Sequence, residues 1–139
     1  MYKKILLPID NTQESSWRAA LPAAVAQARQ QGAALHVVTV VPEAPALPNL
    51  PADYGSGMVD FARDKLDAIL RDRVPQDLSV TSAVRQGTVY REILAEAAAA
   101  GADLIVMAAH RPELRDYLLG PNAARVVRHA TCSVFVVRD

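Results

Sequence analysis

The chain has 139 residues, enough for one domain that buries about two thirds of its unfolded surface without a disulfide or a metal. Fifteen basic residues balance fifteen acidic ones and aromatics make up only 5%, so neither the charge excess that duplex nucleic acid demands nor the ring surface that single strands stack on is present in the totals. No apolar run approaches the ~18 residues of a membrane helix, no charged stretch leading into an apolar run reads as a signal peptide, and Cys132 has no second cysteine to pair with; a cytoplasmic protein, with no nucleic-acid partner and no membrane insertion, is expected.

Residues 2–9 read as a buried strand, carried by Ile5-Leu6-Leu7 and followed by Pro8, Ile9 and Asp10. Asn11 with Glu14 three residues on resembles a capping box. Trp17, Ala20, Leu21, Ala24, Val25 and Ala28 then fall on one helical stripe. Pro22 lies inside that stripe and predicts a kink, and Gly32 is a suitable stop. Residues 34–41 form a second strand, apolar almost throughout, as a strand covered on both faces is. Residues 42–57 hold four prolines and two glycines and read as a long loop. A second helix is predicted over 58–74, with Val59, Ala62, Leu66, Ile69 and Leu70 on one side, and a less apolar edge strand over 78–85.

Gly87-Thr88 opens a third helix that buries Val89, Tyr90, Ile93, Leu94 and Ala97 and stops at Gly101. Residues 103–109 are the fourth strand, and 110–120 a loop. Pro121 suits the first position of a fourth helix with Ala123, Val126, Val127 and Ala130 inward. Residues 132–137 are the last strand. Five strands alternating with four helices predict an α/β fold over residues 1–139: one doubly wound, five-stranded parallel sheet with helices on both faces. With strand order 3-2-1-4-5 the ligand cleft lies between the first and fourth strands, beyond their carboxyl ends. Pro8-Ile9-Asp10-Asn11 and Ala108-Ala109-His110-Arg111 leave those two strands.

Several chemistries are excluded. No G-x-G-x-x-G follows the first strand, and no G-x-x-x-x-G-K-[ST] occurs. A phosphate-accepting receiver would need paired acids after the first strand, an Asp after the third and a Lys after the fifth; here Asp10 stands alone, and Arg85 and Arg138 end the other two. His36, His110 and His129 lie far apart, with no zinc spacing, and no Ser sits in a G-x-S-x-G elbow. Cys132 begins a strand on the side away from the cleft and reads as inert core.

What remains is a phosphate site. A helix starting near Pro121 offers free N–H groups and the positive end of its dipole. Gly120 lets the backbone approach closely; Pro121 removes one donor; Asn122 and Ala123 keep theirs. Arg111 can grip a phosphate oxygen bidentately, and His110 can add a donor. Asp10 is placed for a ribose hydroxyl or, through Mg²⁺ on a nucleotide, for a metal–phosphate; no metal site is expected from the protein alone. Each residue also has a plainer reading: Asp10 as a helix cap, Gly120 as a helix start, Arg111 and His110 as solvated loop residues, and His129 as the complement of a helix end.

The segment Gly101-Ala102-Asp103-Leu104-Ile105-Val106-Met107, then Leu118-Leu119-Gly120, Ala124-Arg125-Val126-Val127-Arg128-His129-Ala130 and Cys132-Ser133-Val134-Phe135-Val136-Val137-Arg138 resembles the C-terminal half of the universal stress protein family. Lys3-Lys4-Ile5-Leu6-Leu7-Pro8-Ile9-Asp10 resembles its opening strand, so the likeness spans the chain. Many members bind ATP through G-x2-G-x9-G-[ST]. Here Ala108 and Arg111 take the first two glycine positions, eight residues separate Arg111 from Gly120, and Pro121 replaces the Ser or Thr. His110-Arg111-Pro112 and Tyr117-Leu118-Leu119-Gly120 are instead similar to the family's F- and G-type branch, also regarded as nucleotide binders. The resemblance implies an ATP or AMP ligand, with Mg²⁺ optional, slow hydrolysis at most and no catalytic residue. It implies that Pro8, Ile9, Asp10 and Val40 surround the adenosine, Val40 through its backbone, with Met107, Ala108, His110, Arg111, Gly120, Pro121, Asn122 and Ala123 completing the site. It also implies a homodimer through Val134, Phe135, Val136 and Val137, whose apolar edge needs a cover, and a protein partner that the residues do not name. A cleft that has lost its nucleotide and serves protein interaction, and a slow ATPase or kinase, remain the alternatives.

Overall fold

A computed structural model describes residues 1–43, 47–109 and 120–138. Strands β1 (Lys4–Pro8), β2 (Ala34–Val41), β3 (Val80–Gln86), β4 (Leu104–Ala108) and β5 (Ser133–Val137) form one parallel sheet in the order β3-β2-β1-β4-β5. Helices α1 (Ala20–Gln31), α2 (Tyr54–Arg73), α3 (Val89–Ala100) and α4 (Pro121–His129) make the crossovers. The predicted topology is therefore the observed one, with β3 and β5 at the two edges.

Alternation along the central strands feeds two cores. Ile5, Leu7, Leu35, Val37 and Val106 meet α1 and α2 residues such as Leu21, Ala24 and Leu66 on one face. Leu6, Val38, Ile105 and Met107 meet Ile93, Ala97, Ala123 and Val126 of α3 and α4 on the other. Such two-sided burial is why these strands read as continuous apolar runs.

Three local expectations change. The 14–16 segment is a 3-10 turn, and α1 starts only at Ala20 with no side-chain cap, so Asn11 and Glu14 form no capping box. Asn11 is instead buried, its Nδ2 donating to the Ala62 carbonyl of α2 at 2.9 Å. With α1 beginning at Ala20, Pro22 sits in the first turn, where a helix interior bond is not lost. Helix α2 begins at Tyr54, one turn before the expected 58, running through Gly55 and Gly57. Gly32 and Gly101 end α1 and α3 at φ +67 and +70, the left-handed stop expected of glycine.

The strand read as apolar almost throughout carries a polar network. His36 of β2, 8% exposed, places Nε2 2.5 Å from Glu96 Oε2 on α3 and Nδ1 2.6 Å from Thr81 Oγ1 on β3. An ionised carboxylate only accepts, so Nε2 carries the proton and, in the neutral ring, the Thr81 hydroxyl donates to Nδ1. Arg85 of β3 spans Glu96 at 2.7 Å and Glu92 at 2.9 Å. Burial pushes the Glu96 carboxyl up, but hydrogen bonds from His36 and Arg85 outweigh it and hold the group below its ordinary value. The five residues clamp α3 to β2 and β3.

Candidate functional site

The strands are all parallel, so the chain leaves β1, β2 and β4 at one end of the sheet. The ladder between β1 and β4 is short: only Ile5 with Leu104 and Leu6 with Ile105 are in register. Beyond them Leu7 and Pro8 keep β2 as partner, and Val106 to Ala108 keep β5. A cleft of about 860 Å³ opens where the two halves part.

Pro8, Ile9, Asp10, Val40, Met107, Ala108, Gly120, Pro121, Asn122 and Ala123 all line this cleft. Ile9, Met107 and Ala123 are buried in its walls, whereas Asp10 and Pro121 are exposed at its mouth. His110 and Arg111 lie outside the described residues. Among the described residues, no group of three or more His, Cys, Asp or Glu side chains is arranged to hold a metal.

Asp10 does not cap α1. Its Oδ1 accepts from Thr12 N–H at 2.9 Å and from the Thr12 hydroxyl at 2.6 Å. Ser16 Oγ accepts from Asp10 N–H at 2.8 Å and lies 2.7 Å from the Asp10 carbonyl. These bonds pin the carboxylate in one place, and Oδ2 has no partner among the described residues. Across the cleft, Gly120 N–H donates to the Ala109 carbonyl and Ala124 N–H makes the first bond of α4, to the Gly120 carbonyl, both at 3.0 Å. The N–H groups of Asn122 and Ala123 are therefore the unsatisfied donors of the first turn, and Pro121 has none to give. Gly120 has φ −63, open to any residue, so its use lies in having no side chain.

Val40 turns its backbone toward the cleft. The Val38 carbonyl accepts from Ile9 N–H at 2.9 Å, so it faces β1. Two residues on, strand periodicity points the Val40 amide and carbonyl the same way, past the end of β1 and over the cleft.

Other lining residues went unread in the sequence. Thr39 and Asn11, 2% and 8% exposed, and Tyr54, Met58 and Phe61 of α2 all border the cleft. Phe61 is 67% exposed although apolar. The helical spacing Tyr54, Met58, Phe61 was the available signal, masked by the glycines between.

Cys132 immediately precedes β5 at the opposite end of the sheet, and burial pushes its thiol up, away from the thiolate a nucleophile needs. His129 ends α4, its ring stacked on Tyr90 with centroids 6.0 Å apart. Strand β5 is an edge, and Phe135 on it is 40% exposed.

The family model described as the universal stress protein family matches residues 1–138. Universal stress protein G of Shigella flexneri is 29% identical, covering 99% of this chain and 100% of that protein. Among solved structures, universal stress protein UspA from Lactobacillus plantarum superposes with TM-score 0.81 at 25% identity, covering 99% of this chain and 98% of its own. Two more share the fold at lower identity. The universal stress protein from Archaeoglobus fulgidus in complex with dAMP has TM-score 0.70 at 18% identity, covering 99% of this chain and 98% of that one. A universal stress protein in complex with cAMP has TM-score 0.62 at 22% identity, covering 99% and 97%.

Proposed function

Because the chain belongs to the universal stress protein family, we propose that its cleft binds an adenine nucleotide, ATP or AMP, and that the bound nucleotide biases which protein partner the molecule engages. One observation carries this reading. Unsatisfied α4 donors at Asn122 and Ala123 and the pinned Asp10 carboxylate flank a single cleft of about 860 Å³, within the range of small-molecule sites. The donors suit phosphate, Asp10 suits a ribose hydroxyl or a nucleotide-bound Mg²⁺, and the Val40 backbone suits a base edge. Relatives of the same fold described in complex with dAMP and cAMP support the choice of adenine. Asp10 and Asp53 are the carboxylates that line the cleft among the described residues, and Asp10 is committed to Thr12; we read hydrolysis as slow at most. We read the protein as cytoplasmic, on its single cysteine, and as a homodimer paired through Val134, Phe135, Val136 and Val137 of the β5 edge.

Calorimetry with ATP and AMP tests the core of the proposal, on the wild type and on Asp10→Ala and Arg111→Ala. Micromolar affinity, weakened about tenfold by each change, is expected. Nucleotide at a hundred times Kd adds about 2.7 kcal/mol of stability. Ala108 and Pro121 at the family's Gly and Ser/Thr positions favour one other reading, an interaction module whose cleft is empty. No heat and no thermal shift would establish it.

A further inference from the structure

Helices α3 and α4 keep their acids and their bases apart. The acids of α3, Glu92 and Glu96, are turned to the sheet, where Arg85 holds both and His36 holds Glu96. Helix α4 has no acid. Arg91 of α3 and Arg125, Arg128 and His129 of α4 are all exposed. Among the described residues, none of these three arginines has a carboxylate partner. A chain whose fifteen bases balance its fifteen acids therefore carries a segregated basic face.

Tyr90, half-buried, gathers this face. The Cζ of Arg125 lies 5.3 Å from its ring centroid and that of Arg91 5.8 Å, and His129 stacks on the ring at 6.0 Å. Arg91 Nε also donates to the phenol oxygen at 3.1 Å. That hydrogen bond, with the charges of Arg91 and Arg125 behind it, outweighs desolvation and holds the phenol below its ordinary value. The field at this spot favours negative charge. Arg128, one turn after Arg125, extends the row. Helix stability alone does not call for the cluster: Arg91 stands in the first turn of α3, where the dipole disfavours a cation, and like charges brought together repel.

We propose that this face of α3 and α4 is a docking surface for an acidic peptide segment of a partner protein. Arg91, Arg125 and Arg128 bind its carboxylates, and Tyr90 is the positioning residue that holds two of these arginines in place. Two magnitudes decide the partner's class. A surface for duplex nucleic acid engages about 6–10 phosphates, and a lipid-binding cluster has about 4–8 basic residues. Three arginines fall short of both and match a few carboxylates, which a guanidinium fork grips bidentately. Tyrosine and arginine together are also what protein interfaces are enriched in. The inference does not depend on what the cleft holds.

Fluorescence anisotropy tests this, with a labelled Asp/Glu-rich peptide and its Asn/Gln-rich counterpart titrated with the full chain in the absence of nucleotide. The wild type should bind the acidic peptide and not the neutral one, and more weakly as salt is raised. Arg125→Glu should weaken binding about tenfold or more. Arg71→Glu, the same reversal at an exposed position of α2, should change it by less than about twofold. Tyr90→Leu alters no charge and keeps an apolar residue in place; losing the ring under two guanidinium groups should weaken binding about threefold, which a diffuse positive field would not do. Each variant is measured below its own melting transition. A wild type that ignores the acidic peptide at low salt overturns the inference, as do equal losses from Arg125→Glu and Arg71→Glu or full binding by Tyr90→Leu. Tighter binding of duplex DNA or of phosphatidylserine vesicles than of the peptide overturns it as well. All of these results leave the nucleotide reading intact.

Discussion

Replacing Glu96 by Gln keeps the side chain's size but removes the charge on which two donors converge. His36 Nε2 lies at 2.5 Å and Arg85 at 2.7 Å. A hydrogen bond to a charged group contributes about 1.5–3 kcal/mol and a neutral one about 1. Arg85 keeps Glu92 at 2.9 Å and its side chain is 31% exposed, so its share is reduced by solvent. The net cost is about 2 kcal/mol. With an unfolding entropy of about 2.1 cal/mol/K per residue, that lowers the melting temperature by about 7 °C. Circular dichroism melts of both proteins at a series of pH values provide the readout. Because Glu96 is held below its ordinary value of 4.5 in the fold, its contribution is full above that value and is lost as pH falls through the lower folded-state value. The gap between the two proteins should therefore be widest at neutral pH and close on acidification. A Glu96→Gln protein melting within about 2 °C of the wild type at neutral pH, or a gap that widens in acid, would refute the clamp.

Leu66→Ala empties a fully buried site on the sheet and should cost about 2–5 kcal/mol in urea unfolding, whereas Phe61→Ser, on an exposed position, should stay within about 0.5 kcal/mol. Gly32→Ala meets no atom within 4 Å but must hold φ +67; a loss of about 1 kcal/mol is expected from backbone strain alone, and an unchanged midpoint would show that the α1 stop relaxes. Phe135→Lys puts a charge on the exposed β5 edge; light scattering should show a dimer for the wild type and a monomer for the variant, and a monomeric wild type removes the proposed β5 pairing.

The topology was legible because the apolar runs of β1, β2 and β4 and the stripes of α1, α3 and α4 obey different periods, and alternating order leaves few ways to wind one sheet. The floor of the cleft was legible for the same reason: it lies where the first and fourth strands end, so Pro8, Asp10 and Ala108 follow from order alone. What escaped depends on distant partners. Asn11 looks like a cap until α2, some fifty residues on, offers it a carbonyl. His36 looks like one polar letter in an apolar strand until Glu96 arrives from α3. Gly55 and Gly57 look like loop residues, yet the first turn of a long helix anchored by Leu66 tolerates them. Thr39 is buried by tertiary packing, which a β-strand pattern does not announce.

The short pairing between β1 and β4 makes the sheet a partly unzipped seam. Its two halves, β3-β2-β1 and β4-β5, are stitched by two residue pairs at the amino end and by the Asp103 carboxylate, which accepts from the backbone of Lys3 and Lys4 at 2.8 and 3.0 Å. At the other end no backbone ladder joins them. A ligand lodged in the wedge touches both halves and so behaves as a removable staple, adding rigidity that the backbone ladder omits. Slowed amide exchange on ligand addition should then concentrate along Leu7, Val106 and Met107 beside the seam and fade toward the stitch, where opening is already suppressed.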